Sequence, residues 1–289
     1  MIHRKISNFI HFLEFFYSKK GDLYEEYNKQ NGLKELIQNG KMDTFFQPIV
    51  SLNEGCTIGF EILNRPTFSE QFPTTESFYD YVGKSQNVLL VERFLRNLSI
   101  EKFAEQVKTL HVHKDQLIFL NILPHALMDP HFRSEFTIDF LHKHHISPYQ
   151  IVLELTEKEA SFNIAHFDQL IDHYRSQGFR IALDDTGTGY NSLKTVVRVK
   201  PEFIKLDKEL IRNIDKHPEQ QNLVEILMEF AIQSDINIVA EGIESIPEFT
   251  FLQKLGVPFG QGFALGKPKE TLCSGQLPLS NDYYKKRLG

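Results

Sequence analysis

Short, almost wholly apolar runs recur along the chain, and acidic side chains stand within or at the end of one after another. The runs are FEIL with Glu61, IVLELTE with Glu154 and Glu157, IALDD with Asp184 and Asp185, and IVAEGIE with Glu241 and Glu244. Runs of this length predict strands covered on both faces, the habit of parallel sheets. Between them, FDQLIDHYRSQGF from Phe167 and QNLVEILMEFAIQSD from Gln221 place apolar residues at helical spacing, so strand and helix alternate. That order predicts an α/β protein, a (β/α)₈ TIM-type barrel with its reactive groups on the loops after the strands, at one rim. TFFQPIVSL and CTIGFEIL are separated only by Asn53, Glu54 and Gly55, too short a link for a crossover helix. The first two strands are therefore expected to be antiparallel.

Carboxylates gathered on one rim repel each other and each costs desolvation energy, so the pattern points to a bound cation or a reacting substrate. Other useful groups follow strand-like runs in the same way: Asn121 in LIFLNIL, Lys205 and Asp207 in PEFIKLD, and Gln261 in PFGQGFALGKP. Lys205 reads either as a partner of the reacting centre or as half of a salt bridge to Asp207. His111, His113, His142, His144 and His145 read as solvated.

A chain of 289 residues suits one barrel with a short extension, and the formal net charge of -6 argues against a duplex nucleic-acid partner. Cys56 and Cys273 offer neither a disulfide framework nor a thiolate metal site, which suggests a cytoplasmic protein. SNFIHFLEFFYS is interrupted by Asn8, His11 and Glu14 and is too short to span a bilayer. Ile6, Phe9, Ile10, Leu13, Phe16 and Tyr17 lie at helical spacing, so residues 1–40 read as a helix, a break at Gly21 and a second helix through GLKELIQNG. That extension is expected to pack on its own barrel, to join a homodimer, or to tether a regulatory partner. Residues 41–270 form the barrel domain, with a polar tail over 271–289.

In order, QPIV, FEILNRP, LNILPHAL, LELTE, IALDDTGTGYNSL, FIKLD, VAEGIES and QGFALGKP resemble the motif series of the EAL domain family, cyclic di-GMP phosphodiesterases and their inactive, ligand-binding relatives. The resemblance covers roughly residues 40 to 270, which matches the size of a barrel of this kind. It implies a barrel with an antiparallel first strand and hydrolysis of cyclic di-GMP to the linear dinucleotide pGpG with Mg²⁺ or Mn²⁺. By the same matching, Glu61, Asn121, Glu154 and Asp184 hold one ion, and Asp184, Asp185 and Glu241 a second. Lys205 contacts the nucleophilic water, Arg65 a substrate phosphate, and Gln47, Gln261 and Asp207 complete the substrate side. Glu157 and Glu244 anchor loops. Oxygen donors without thiolates or paired histidines suit hard divalent ions.

Two positions depart from the family pattern. Ile62 stands where the family has alanine, and Thr186 where an aromatic usually follows the paired aspartates. Both changes are expected to weaken activity, and Thr186→Phe to preserve or raise it. A domain that binds cyclic di-GMP without cutting it is the alternative these departures leave open.

Overall fold

The computed structural model describes residues 2–110, 115–123, 126, 135–156, 167–187 and 192–278. Eight strands close into a barrel in chain order: β1 (Met42–Ser51), β2 (Thr57–Pro66), β3 (Leu117–Asn121), β4 (Ile151–Thr156), β5 (Arg180–Thr186), β6 (Phe203–Leu206), β7 (Asn237–Ala240) and β8 (Phe259–Gly260). Neighbours from β2 to β8 are parallel, and β1 closes the ring antiparallel to β8. The tight link is as the sequence requires: Gly55, at φ 74°, donates its amide to Ser51 O at 2.9 Å, and the Ser51 amide donates to Cys56 O at 2.8 Å. Only a residue without a Cβ takes that left-handed backbone at no steric cost. The last strand is shorter than the apolar run PFGQGFALGKP suggests. After Gly260 the backbone turns, with the Leu265 and Gly266 amides both donating to Gly262 O.

Helices α1 (Ile2–Asn39), α2 (Thr75–Lys84), α3 (Val88–Leu110), α4 (Glu135–Lys143), α5 (Phe167–Ser176), α6 (Ser192–Val199), α7 (Lys208–Ile211), α8 (Pro218–Gln233) and α9 (Ile246–Leu255) fill the intervals the periodicity assigns. α9 shows how the sequence sets such limits. Ser245 and Glu248 form a capping box at its start, and Gly256, at φ 88°, ends it.

The chain divides into two compact units, one of Met1–Asp43 and Arg65–Val82, the other of Thr44–Asn64 and Gly83–Gly289. In the first, α1 runs unbroken through Gly21, where the sequence suggests a stop. A glycine inside a helix costs only about 1 kcal/mol relative to alanine, and the ion pairs Lys19–Asp22 and Lys29–Glu25 brace the turns on either side. Tyr81 Oη donates to Glu26 at 2.9 Å, and Phe72 meets the Phe78 ring edge-on at 5.4 Å. Among the described residues no helix is long and apolar enough to cross a membrane.

The second unit has two apolar layers. Outside the sheet, Phe60, Ile62, Leu120, Leu153, Leu183 and Leu206 join the helices in one large core. Inside it, Ile49, Phe119, Val152, Ala182, Phe203 and Val239 form a separate cluster that plugs the bore, with Phe259 packed against it. Side chains alternate between faces with a period of two, so on the parallel strands β2 to β8 the residues two positions beyond the plug layer also point inward, one layer higher.

Candidate metal centre

That upper layer is the acidic rim. Two positions past Gly59, Phe119, Val152, Ala182, Phe203, Val239 and Phe259 stand Glu61, Asn121, Glu154, Asp184, Lys205, Glu241 and Gln261. All seven were assigned from the sequence, and strand register brings them onto one ring.

Lys205 is its centre. The ammonium, 1% exposed, lies 2.7 Å from Glu154 Oε1, 2.8 Å from Glu241 Oε1, and 3.3 Å from both Glu61 Oε2 and Asp184 Oδ1. The simple salt bridge to Asp207 is not formed. Asp207 instead caps α7, its Oδ1 accepting the Glu209 amide at 2.6 Å. Glu61 is further fixed by two amides, accepting from Asn121 Nδ2 at 3.1 Å and from Gln261 Nε2 at 2.7 Å. With its NH₂ group committed, Gln261 keeps its buried Oε1 without a hydrogen-bond partner, and both buried oxygens of Glu154 also lack one. Lys205 Nζ nevertheless stands 2.7 Å from Glu154 Oε1, where the two attract as opposite charges.

Burial pushes the Glu241 carboxyl up to about 8 against the pull of Lys205, with the charges of Asp184 and Glu61 adding to the rise. Burial likewise lifts Asp185 to about 6, helped by the neighbouring charges of Asp184 and Asp207. Glu154 is raised well above the usual carboxylate range, by burial first and then by the charge of Glu61. Burial acts the same way on Glu61, but Lys205 and the two amides outweigh it and hold that carboxyl below its ordinary value. Burial also works against the Lys205 ammonium, yet Glu154, Glu241, Glu61 and Asp184 together keep it well above the usual lysine range. The ring therefore holds more negative charge than one ammonium balances.

Oxygens of Asp184, Asp185 and Glu241 all lie within 4.8 Å of one another, close enough to share a cation. A regular strand would send two consecutive aspartates to opposite faces. Here the β5–β6 register shifts between Leu183 and Thr186, and Asp185 takes a left-handed φ of 52° with its amide on Asp184 Oδ1 at 3.0 Å. The irregularity turns both carboxylates toward one place. Oxygens without hydrogen-bond donors, a neutral amide carbonyl and clustered carboxylates together form a donor set that fits hard divalent ions.

The same irregularity places Thr186 beside the outer core. Its side chain is fully buried and its hydroxyl donates to Leu183 O at 3.2 Å. Thr186→Phe puts a larger ring at this buried site and is expected to destabilise the fold by about 1 to 3 kcal/mol through overpacking. A urea-unfolding midpoint equal to or above the wild-type value would contradict that. Ile62, by contrast, packs in the outer core on the face away from Glu61, and its added bulk does not reach the ring.

Gln47 donates to Gly266 O at 3.4 Å and ties β1 to the segment after β8. Arg65, toward the end of β2, is exposed and belongs to the helical unit. Glu157 and residues 188–191 of the TGTGYNSL loop lie outside the described residues. The Glu244 side chain is exposed, and its amide donates to Glu248 Oε2 at 3.0 Å. Glu248, which sequence reasoning passed over, also accepts from the Asn213 and Ser245 amides and so fastens the loop that carries Glu241. Its only signal was the capping-box spacing from Ser245.

Comparison with known proteins agrees with this geometry. The family model described as EAL domain matches residues 30–268. The chain is 31% identical over 241 residues to the probable cyclic di-GMP phosphodiesterase PdeB of Escherichia coli (strain K12), covering 82% of this chain and 45% of that one. With the probable cyclic di-GMP phosphodiesterase PdeA of the same organism it shares 27% over 244 residues, 83% of this chain and 32% of the other. The chain thus spans less than half the length of these two relatives. The EAL enzyme Bd1971, solved with cAMP and cyclic di-GMP bound, superposes with a TM-score of 0.76 at 26% identity, over 91% of this chain and 72% of that one.

Proposed function

The chain belongs to the EAL domain family, and on that premise we propose that it hydrolyses one phosphodiester bond of cyclic di-GMP, giving linear pGpG with Mg²⁺ or Mn²⁺. The observation that carries the proposal is the ring around Lys205, in which buried carboxylate and amide oxygens stand without hydrogen-bond donors. Glu61, Asn121, Glu154 and Asp184 would hold one ion, and Asp184, Asp185 and Glu241 a second. Bound there, such ions supply a water that is deprotonated near neutral pH and offset the charge that develops on the phosphorus oxygens.

The chain's own groups do the rest. Asn121 and Gln261 keep Glu61 oriented through their NH₂ groups, which leaves the amide carbonyls free to face a cation or substrate. Lys205, fixed by contacts from four directions, places a positive charge beside the attacking water and costs no reorganisation during the reaction. The apolar plug beneath the ring excludes water from one side and strengthens each of these interactions. Arg65, with its planar fork, is assigned to a substrate phosphate. Gln47 and Asp207 support the rim on the substrate side, and Glu157 and Glu244 the loops.

The test is turnover of cyclic di-GMP by the purified protein after chelator treatment and metal readdition. Mg²⁺ or Mn²⁺ is expected to restore cleavage. Ca²⁺, with longer bonds and looser coordination, is expected to give a rate at least about tenfold lower. Equal rates with Ca²⁺ would remove the two-ion assignment. Tight binding without cleavage under any of these ions would replace the enzyme with a cyclic di-GMP receptor.

A further inference from the structure

The geometry points to Glu92, on α3 and outside the ring, as a positioning residue that sets Asn121 for metal binding through the backbone of Leu123. This inference rests on the metal-dependent reading above. Glu92 is 2% exposed, and its Oε2 accepts the Leu123 amide at 2.9 Å. Its nearest cation is Arg96, one turn along the same helix, with Nε 3.9 Å from Oε1. Arg96 is itself buried and reaches Tyr174 Oη on α5 at 3.5 Å.

A buried carboxylate is costly, and a paired one seldom adds net stability over an apolar side chain of similar volume. What it supplies here is a fixed acceptor at a chosen place. β3 ends at Asn121, and beyond it the backbone is fastened from two sides, with the Ile122 amide donating to Glu154 O at 3.2 Å and the Leu123 amide to Glu92. Asn121 is the exposed member of the ring and, with Gln261, one of its two neutral ones, with its side chain secured by the bond to Glu61. The stretch of backbone leaving it is therefore what fixes where its carbonyl oxygen points. Partners of this kind, one step removed from the ligands, commonly change metal affinity by about 10- to 100-fold when lost.

Calorimetric titration of the full chain with Mn²⁺ alone, without substrate, tests this. Glu92→Leu is expected to weaken Mn²⁺ binding about tenfold or more, whereas Glu92→Gln, which keeps an acceptor oxygen for the Leu123 amide, stays within about threefold of wild type. In an Asn121→Ala background Glu92→Leu is expected to cause no further loss, because its effect passes through Asn121. Glu92→Leu that leaves Mn²⁺ affinity unchanged, or weakens it by the same factor with and without Asn121, overturns the inference and leaves Glu92 as a packing residue. Should Glu92→Leu not fold, Glu92→Asp, whose shorter side chain draws the carboxylate away from Leu123, enters the same cycle with the same expected and overturning results. Wild-type protein that takes up no Mn²⁺ would overturn the metal reading and this inference with it. Normal wild-type uptake with an unaffected variant overturns this inference alone.

Discussion

Glu61→Ala is expected to reduce cyclic di-GMP hydrolysis by about a thousandfold or more, equivalent to about 4 kcal/mol of lost transition-state stabilisation. Glu61 accepts from Asn121, Gln261 and Lys205 together, so its loss removes an anionic donor and also frees the three groups that oriented around it. Asp184→Asn should act as strongly, because Asp184 is the carboxylate assigned to both ions and also lies 3.3 Å from Lys205. Neither change opens the apolar plug, and each relieves repulsion in a ring with excess negative charge, so folding is expected to survive. Steady-state kinetics at saturating Mn²⁺, with circular dichroism to confirm the fold, provides the check. Turnover within about tenfold of wild type in either variant would mean that the ring is not the reaction centre.

Lys205→Ala should act on stability and on rate, and the two can be separated. In the metal-free protein the ammonium is the cation that holds Glu61, Glu154, Asp184 and Glu241 together, and all five groups are largely withdrawn from water. Removing one partner of a buried charge cluster typically costs about 3 to 5 kcal/mol, so the metal-free melting temperature should fall sharply. Mn²⁺ bound at the proposed site in the folded protein alone would restore stability in the variant by mass action. At saturating Mn²⁺ the stability defect is thereby offset, and a remaining drop in kcat with little change in KM reports the part Lys205 plays in the reacting state. A variant that melts early without metal but turns over normally with it would make Lys205 a structural counterion and nothing more.

The barrel was legible because its strands, covered on both faces, are short apolar runs that alternate with helical segments. Val152 then Glu154, Ala182 then Asp184, and Phe203 then Lys205 each place an apolar residue and a polar one on the same face. The antiparallel start was legible because three residues cannot hold a crossover. The partners of Lys205 were not, because its four carboxylates come from four different strands and their distances depend on how the barrel closes. The nearest acid in sequence, Asp207, lies past the strand's end and is taken by a helix cap. The burial of Thr186 was not legible because the register shift beside it is invisible in composition. Glu92 and Glu248 went unnoticed because a glutamate on an amphipathic helix usually faces solvent, and only the folded packing shows that these two reach loop amides. Gly21 misled in the other direction, since a propensity cost of about 1 kcal/mol is too small to end a helix.

The two layers inside the bore also bear on how proteins of this shape diverge. Packing resides in the lower layer and chemistry in the upper one, so the acidic ring can be neutralised one residue at a time without opening a cavity below it. Neutral replacement of a carboxylate that burial and its neighbours push upward, as at Glu154, Asp185 or Glu241, relieves buried repulsion, so for the metal-free protein such drift toward inactivity is also drift toward greater stability. Metal binding would reverse that sign, because a cation shared among these carboxylates stabilises only the folded ring.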